Sequence, residues 1–135
     1  MKKNLSLILL MLVAVVTSTS CKKNQDPIVQ SVTDRKIRFQ LYTNQNDAGN
    51  TSVIIFSLFI RDGNHYFLDS ALAPMQIKDI PDAAQKLVFE KTIPANGNID
   101  LAAGFHYEIL NSGNARFTDT LKAGNTFKVI DYAFQ

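Results

Sequence analysis

The chain has 135 residues, with 14 lysines and arginines against 12 aspartates and glutamates. Lys2 and Lys3 lie at the extreme N-terminus, so the rest is balanced at twelve of each, and no basic run interleaved with aromatics points to nucleic acid. A single cysteine excludes an internal disulfide, and the length suits one domain rather than two.

Met1 to Cys21 reads MKKNLSLILLMLVAVVTSTSC. Two lysines open it, an apolar run from Leu5 to Val16 follows, and Thr17 to Ser20 are small. Basic, apolar and small in that order is the layout of a secretory signal. The apolar run of 12 residues reaches roughly 18 Å as a helix, short of a bilayer core of about 30 Å, so it does not read as a membrane span. We assign residues 1–20 to a cleaved signal helix, 21–34 to a polar tether interrupted by Pro27, and 35–135 to the folded domain. A first edge strand over Ile28 to Val32 is an equal reading of the tether's second half.

The domain alternates in period two. Ile37, Phe39 and Leu41 share one face of a half-buried strand. Asn44 to Asn50 is a turn-rich loop. Val53 to Ile60 is apolar on both faces except Ser57, which predicts a strand in the middle of a sheet. Arg61-Asp62-Gly63-Asn64 marks a tight hairpin, and His65 to Leu72 returns from it. Pro74 and Pro81 bracket an edge strand or a crossover between sheets, and Pro81 to Lys86 suits one helical turn. Leu87, Phe89, Lys91 and Ile93 form the next face, followed by a turn at Ala95 to Asn98.

Phe105, Tyr107 and Ile109 alternate with His106 and Glu108. Asn111 to Asn114 turns the chain, and Ala115 to Leu121 and Thr126 to Phe134 complete the set. Five of the six glycines precede an asparagine (Gly49, Gly63, Gly97, Gly113 and Gly124), and all sit between apolar runs, which is turn chemistry rather than a phosphate loop. The last strand has its apolar residues in two phases, Phe127 and Val129 against Ile130, Tyr132 and Phe134. A bulge near Val129 to Asp131 would bring both sets to the core; a strand covered on both sides is the alternative. The fold class that follows is all-β, a two-sheet antiparallel sandwich of about seven or eight strands.

Two resemblances refine this. Thr19 and Ser20 before Cys21, with Lys22-Lys23 after it, resemble the lipobox of bacterial lipoproteins, in particular those of the Bacteroidota. Ser18 departs from the leucine usual one place earlier. The resemblance implies cleavage between Ser20 and Cys21, a diacylglyceryl thioether on Cys21 and acylation of its freed amine, an anchor that two or more acyl chains make stable. Cleavage by an ordinary signal peptidase, or a free thiol at Cys21, are the competing readings. Lys22 in place of aspartate after the cysteine favours the outer membrane.

Leu101, Gly104, Tyr107 and Ile109 resemble the tyrosine corner of fibronectin type III and immunoglobulin-like domains, with Ala103 where that family has proline. Transthyretin-like sandwiches show similar spacing. The resemblance implies that Leu101 plugs the sandwich end, Gly104 permits the turn and the Tyr107 hydroxyl bonds back to the corner's backbone.

Catalytic signals are sparse. His65 follows a hairpin and His106 faces away from Tyr107's side; no spacing joins them to a metal or a nucleophile. Asp62, Asn64 and Asp69 lack the spacing of a calcium loop. Asp119 shares phase with Phe117 and Leu121, so its carboxylate points inward unless it sits at an edge or a bulge. Tyr42, Tyr66, Phe67 and Tyr132 are the aromatics available to stack on sugars. The expectation is therefore a lipid-anchored, non-enzymatic envelope module with no cofactor, no metal and no nucleic-acid partner, its partners being the membrane and a protein or glycan ligand. A glycan-binding accessory lipoprotein is the first alternative, and a small hydrolase the second.

Overall fold

A computed structural model describes residues 33–94 and 97–135. The signal helix, most of the tether, the alternative strand over Ile28 to Val32, and Ala95 and Asn96 of one predicted turn lie outside the described residues.

Eight strands form a sandwich of two sheets: β1 (Arg35–Thr43), β2 (Val53–Asp62), β3 (His65–Ala71), β4 (Met75–Gln76), β5 (Leu87–Ile93), β6 (Leu101–Ile109), β7 (Gly113–Leu121) and β8 (Phe127–Phe134). The first sheet has the order β5-β1-β8. The second has the order β3-β2-β6-β7, with β4 paired to the start of β2. Strand β2 is central, as its two-sided apolar run requires.

Both interior faces follow from period-two alternation. Ile37, Phe39 and Leu41 of β1 are fully buried while Lys36, Arg38, Gln40 and Tyr42 face out. From the other sheet come Ile54, Phe56, Leu58 and Ile60 of β2 and Leu101, Ala103 and Phe105 of β6. The rings interlock: Phe105 meets Phe39 edge-on at 5.6 Å, and Phe56 meets Phe134 edge-on at 5.9 Å. Each such fully buried large side chain, ring or aliphatic, contributes about 1.5–3 kcal/mol.

The expected all-β, two-sheet sandwich stands with one refinement, and two further expectations are corrected. The sandwich is antiparallel except at one pair, because β8 runs parallel to β1. The turn after β7 carries the chain from one sheet to the other, and the free side of β1 is then met from the same end. Second, β8 carries no bulge: it keeps an unbroken register with β1 from Lys36 opposite Phe127 to Thr43 opposite Phe134. Ile130, Tyr132 and Phe134 therefore face the core, and Phe127 and Val129 face outward, with Phe127 47% exposed. The Arg38 guanidinium lies 5.6 Å from the Phe127 ring and covers it in part.

Third, the helical turn comes earlier than predicted. It is a single 3-10 turn at Ile77–Asp79, which drops Ile77 and Ile80 into the open side of the sandwich between β4 and β5. Pro81 to Lys86 is instead a turn in which the Asp82 carboxylate accepts the amides of Ala84 and Gln85 at 2.8 and 3.1 Å. That local bond competes with helix, as aspartate side chains do.

The end of the sandwich where β1 begins is tied by a buried cation. Arg35 is wholly buried. Its Nε donates to the Asn125 carbonyl at 3.0 Å, Nη1 to Ile99 at 2.7 Å, and Nη2 to Leu121 at 2.9 Å and Lys122 at 2.8 Å. One side chain thus joins the loop before β6 to the turn after β7. Those two loops also bond directly, Gly124 N–H to the Gly97 carbonyl at 2.7 Å. Burial pulls the guanidinium below its ordinary value and the nearby Asp100 carboxylate opposes that. Asp100 is itself held down, first by Lys122 at 2.8 Å and then by the Ala123 amide.

Candidate functional site

Ser20 and Cys21, the predicted cleavage and lipidation residues, lie outside the described residues. The remaining predicted positions fall into three groups: those the fold absorbs, those it scatters, and those it gathers along one flank.

The tyrosine corner belongs to the first group, and the structure corrects it. Leu101, Gly104 and Tyr107 all lie within the continuous strand β6, so no corner separates them. Leu101 is buried opposite Leu121, at the end of β7 that Arg35 grips. Six residues of extended strand, roughly 20 Å, carry Tyr107 to the other end, where its ring lies 6.5 Å from that of Tyr132 and 5.4 Å from that of Phe134. Gly104 permits a close approach rather than a turn. A Cβ there would collide with the Phe117 carbonyl oxygen and lie 2.9 Å from its carbon.

The scattered group covers the catalytic and metal candidates. His65 begins β3 and meets the Phe67 ring edge-on at 4.7 Å. His106 sits on the outer face of β6, opposite Ser57 on one side and Arg116 on the other. Glu108 lies two residues along on the same face of β6, opposite Ile55 and Asn114. Asp62 is opposite His65 and Asp69 is opposite Phe59, both on the β2–β3 pair. Among the described residues no group of three His, Cys, Asp or Glu side chains is placed to hold a metal ion. Tyr42 lies under the Lys86 ammonium, 4.1 Å from it, and Tyr66 and Phe127 are exposed on different sheets. These aromatics do not share a platform.

The third group lies where the free sides of β7 and β8 adjoin. Asp119 does point inward, and it sits at an edge: β7 ends its sheet. Its carboxylate meets the Lys128 ammonium of β8 at 2.7 Å. Lys128 first, and the Thr120 amide second, hold the carboxyl below the usual range. Above this ion pair the two sheets meet through rings. Phe117 lies 5.0 Å from Tyr132, which stacks on Phe105 at 5.5 Å. Burial pushes the Tyr132 hydroxyl up to about 12, with Tyr107 adding to the effect.

Beyond these rings the outer side of β7 is paired with no described strand. Its residues from Gly113 to Arg116 are exposed. A strand edge presents alternating amide donors and carbonyl acceptors, which only another extended backbone satisfies in full. This is the feature with recognition chemistry, and periodicity alone did not reveal it, since an edge strand and an inner one can read alike. Arg35 also escaped sequence reading, because a lone arginine before a strand looks like a solvated charge. Comparison with protein-family models, curated proteins and solved structures gives no match.

Proposed function

We propose that this chain is a lipid-anchored, non-enzymatic β-sandwich of the bacterial cell envelope, held to the outer membrane through Cys21 and acting as an interaction module. The leader supports the anchor: basic start, short apolar run, small residues and then the only cysteine. The observation that carries the interaction role is the free side of β7, a nine-residue strand at the end of its sheet. Sheet edges bind extended peptides by strand addition, in which main-chain bonds supply affinity and alternate side chains supply specificity.

The anchor is tested by metabolic labelling with a clickable fatty acid. The wild-type chain takes up label and sediments with membranes. Cys21→Ala loses both. Equal labelling of the variant refutes lipidation at this residue.

A further inference from the structure

The sandwich has four outer strands, and they are not equally protected. Natural edges are guarded by inward-pointing charges, bulges, prolines and short length. Strand β5 carries Lys91 in inward phase and is followed by Pro94. Strand β8 carries Lys128 in inward phase. Strand β3 is broken by a register shift between Ile60 and Arg61, and β4 takes the rest of that side of β2. Strand β7 has none of these along most of its length. It keeps nine consecutive pairs with β6, from Leu121 opposite Leu101 to Gly113 opposite Ile109, without a shift. Its one inward charge, Asp119, joins Lys128 of β8 in an ion pair that guards only the end of β7 nearest the β7–β8 turn.

The half from Gly113 to Thr118 is therefore the unguarded part. Its single charge is Arg116, which lies on the outer face with its guanidinium 4.8 Å from the Phe59 ring and forms no ion pair with any described residue. On the inner side, exposed Ala115 and half-buried Phe117 lead to the half-buried Tyr132. A strand laid along this half would place one side chain beside Arg116 and the next beside Phe117.

A second copy of this chain fits poorly there. Antiparallel self-pairing centred on Phe117, with both inner faces on one side, sets the two Arg116 side chains on a diagonal across the new ladder. A shift of register by two faces Arg116 with Arg116 or Phe117 with Asp119. Like charges opposite each other destabilise a strand pair, and a carboxylate against a ring leaves a charge poorly solvated.

We infer that residues Gly113 to Thr118 of β7 dock an extended segment of another polypeptide by antiparallel strand addition, the segment placing a carboxylate beside Arg116 and an apolar side chain beside Phe117. This rests on the interaction role proposed above and names the edge, the half of it and the chemistry of the partner.

The test uses the full chain in detergent micelles and two capped ten-residue peptides, one alternating valine with glutamate and one alternating valine with lysine. Amide hydrogen exchange is followed residue by residue. The valine–glutamate peptide is expected to slow exchange at least tenfold between Asn114 and Thr118, and the valine–lysine peptide to do so far less. Ala115→Lys, an exposed change that adds an inward charge, is expected to abolish the protection. Arg116→Glu is expected to exchange the preference between peptides. Protection on β3, β5 or β8, no protection at all, an unaffected Ala115→Lys variant, or a dimer through β7 would each overturn the inference. Loss of the edge effect with fatty-acid labelling intact removes this assignment alone. Loss of labelling with the edge effect intact removes the anchor alone.

Discussion

The Lys128 ammonium and the Asp119 carboxylate meet at 2.7 Å across the flank of the sandwich, each from a strand at the end of its own sheet. Both side chains have inward phase, so the pair latches one sheet to the other where no strand covers the core. Solvent still reaches both, 31% and 41% exposed, which limits what the latch contributes.

Asp119→Asn is expected to lower stability at pH 7 by at most about 1 kcal/mol, as for a solvent-screened pair. Lys128 depresses the carboxyl's native pKa. Its contribution is therefore complete above the unfolded value of about 3.9 and disappears as pH falls through the native value. Urea midpoints between pH 5 and pH 2 should show the wild type losing its advantage over the variant.

Arg35→Ala is expected to destabilise the domain by about 3 kcal/mol or more. Four carbonyls lose a charged donor at once, and each acceptor left buried without a partner costs about 1–3 kcal/mol. Arg35→Lys should recover only part, because one ammonium has three donors and no planar fork. Chemical denaturation of both variants gives the comparison.

Gly104→Ala is expected to cost about 1–3 kcal/mol or more, since a methyl group meets the backbone of β7 rather than a movable side chain. Gly49→Ala is the control: nothing lies within 4 Å of a Cβ there. It should be neutral or slightly stabilising through the unfolded chain. Thermal melts of the two variants should separate them clearly.

The Tyr132 hydroxyl titrates near 12, above the ordinary value of about 10. The native state holds this proton after the unfolded chain has released it, so the associated stability is complete below about pH 10 and is lost as pH rises towards 12. In an alkaline absorbance titration of the folded domain, Tyr132→Phe should remove the component that ionises near 12.

The phase of β8 separates two neighbouring apolar positions. Ile130→Ala empties a fully buried site and is expected to cost about 2–5 kcal/mol. Phe127→Ala removes an exposed ring and its contact with Arg38, at about 0.5–1 kcal/mol. Similar losses at both would mean that the outward phase of Phe127 is wrong.

Much of the fold was legible because burial imposes period two. Ile37, Phe39 and Leu41, the run Val53 to Ile60 that is apolar except at Ser57, and the Asp62-Gly63 hairpin lie where alternation and turn chemistry put them, with Gly63 at a φ of +52°. The bulge expected in β8 failed for a geometric reason. A strand fully registered on β1 cannot turn both of its apolar sets inward, so Phe127 and Val129 stay outside. The spacing of Leu101, Gly104 and Tyr107 was real, yet it served strand β6: the glycine makes room for the Phe117 carbonyl, and the tyrosine ring packs against Phe56 and Phe134. Arg35 and the open side of β7 depend on which strands become neighbours, and that is set by contacts distant in the chain.

Strand β1 is the middle of its sheet, and both of its neighbours come later in the chain, β5 from residue 87 and β8 from residue 127. No hairpin can form on it locally. A chain emerging from the ribosome therefore leaves both sides of β1 unpaired until β5 is made and one side unpaired until β8 is made, and long-range strand pairing of this kind closes slowly. The first sheet is therefore completed only once β8 has been made, whereas the β2–β3 and β6–β7 hairpins of the second sheet pair strands adjacent in the chain.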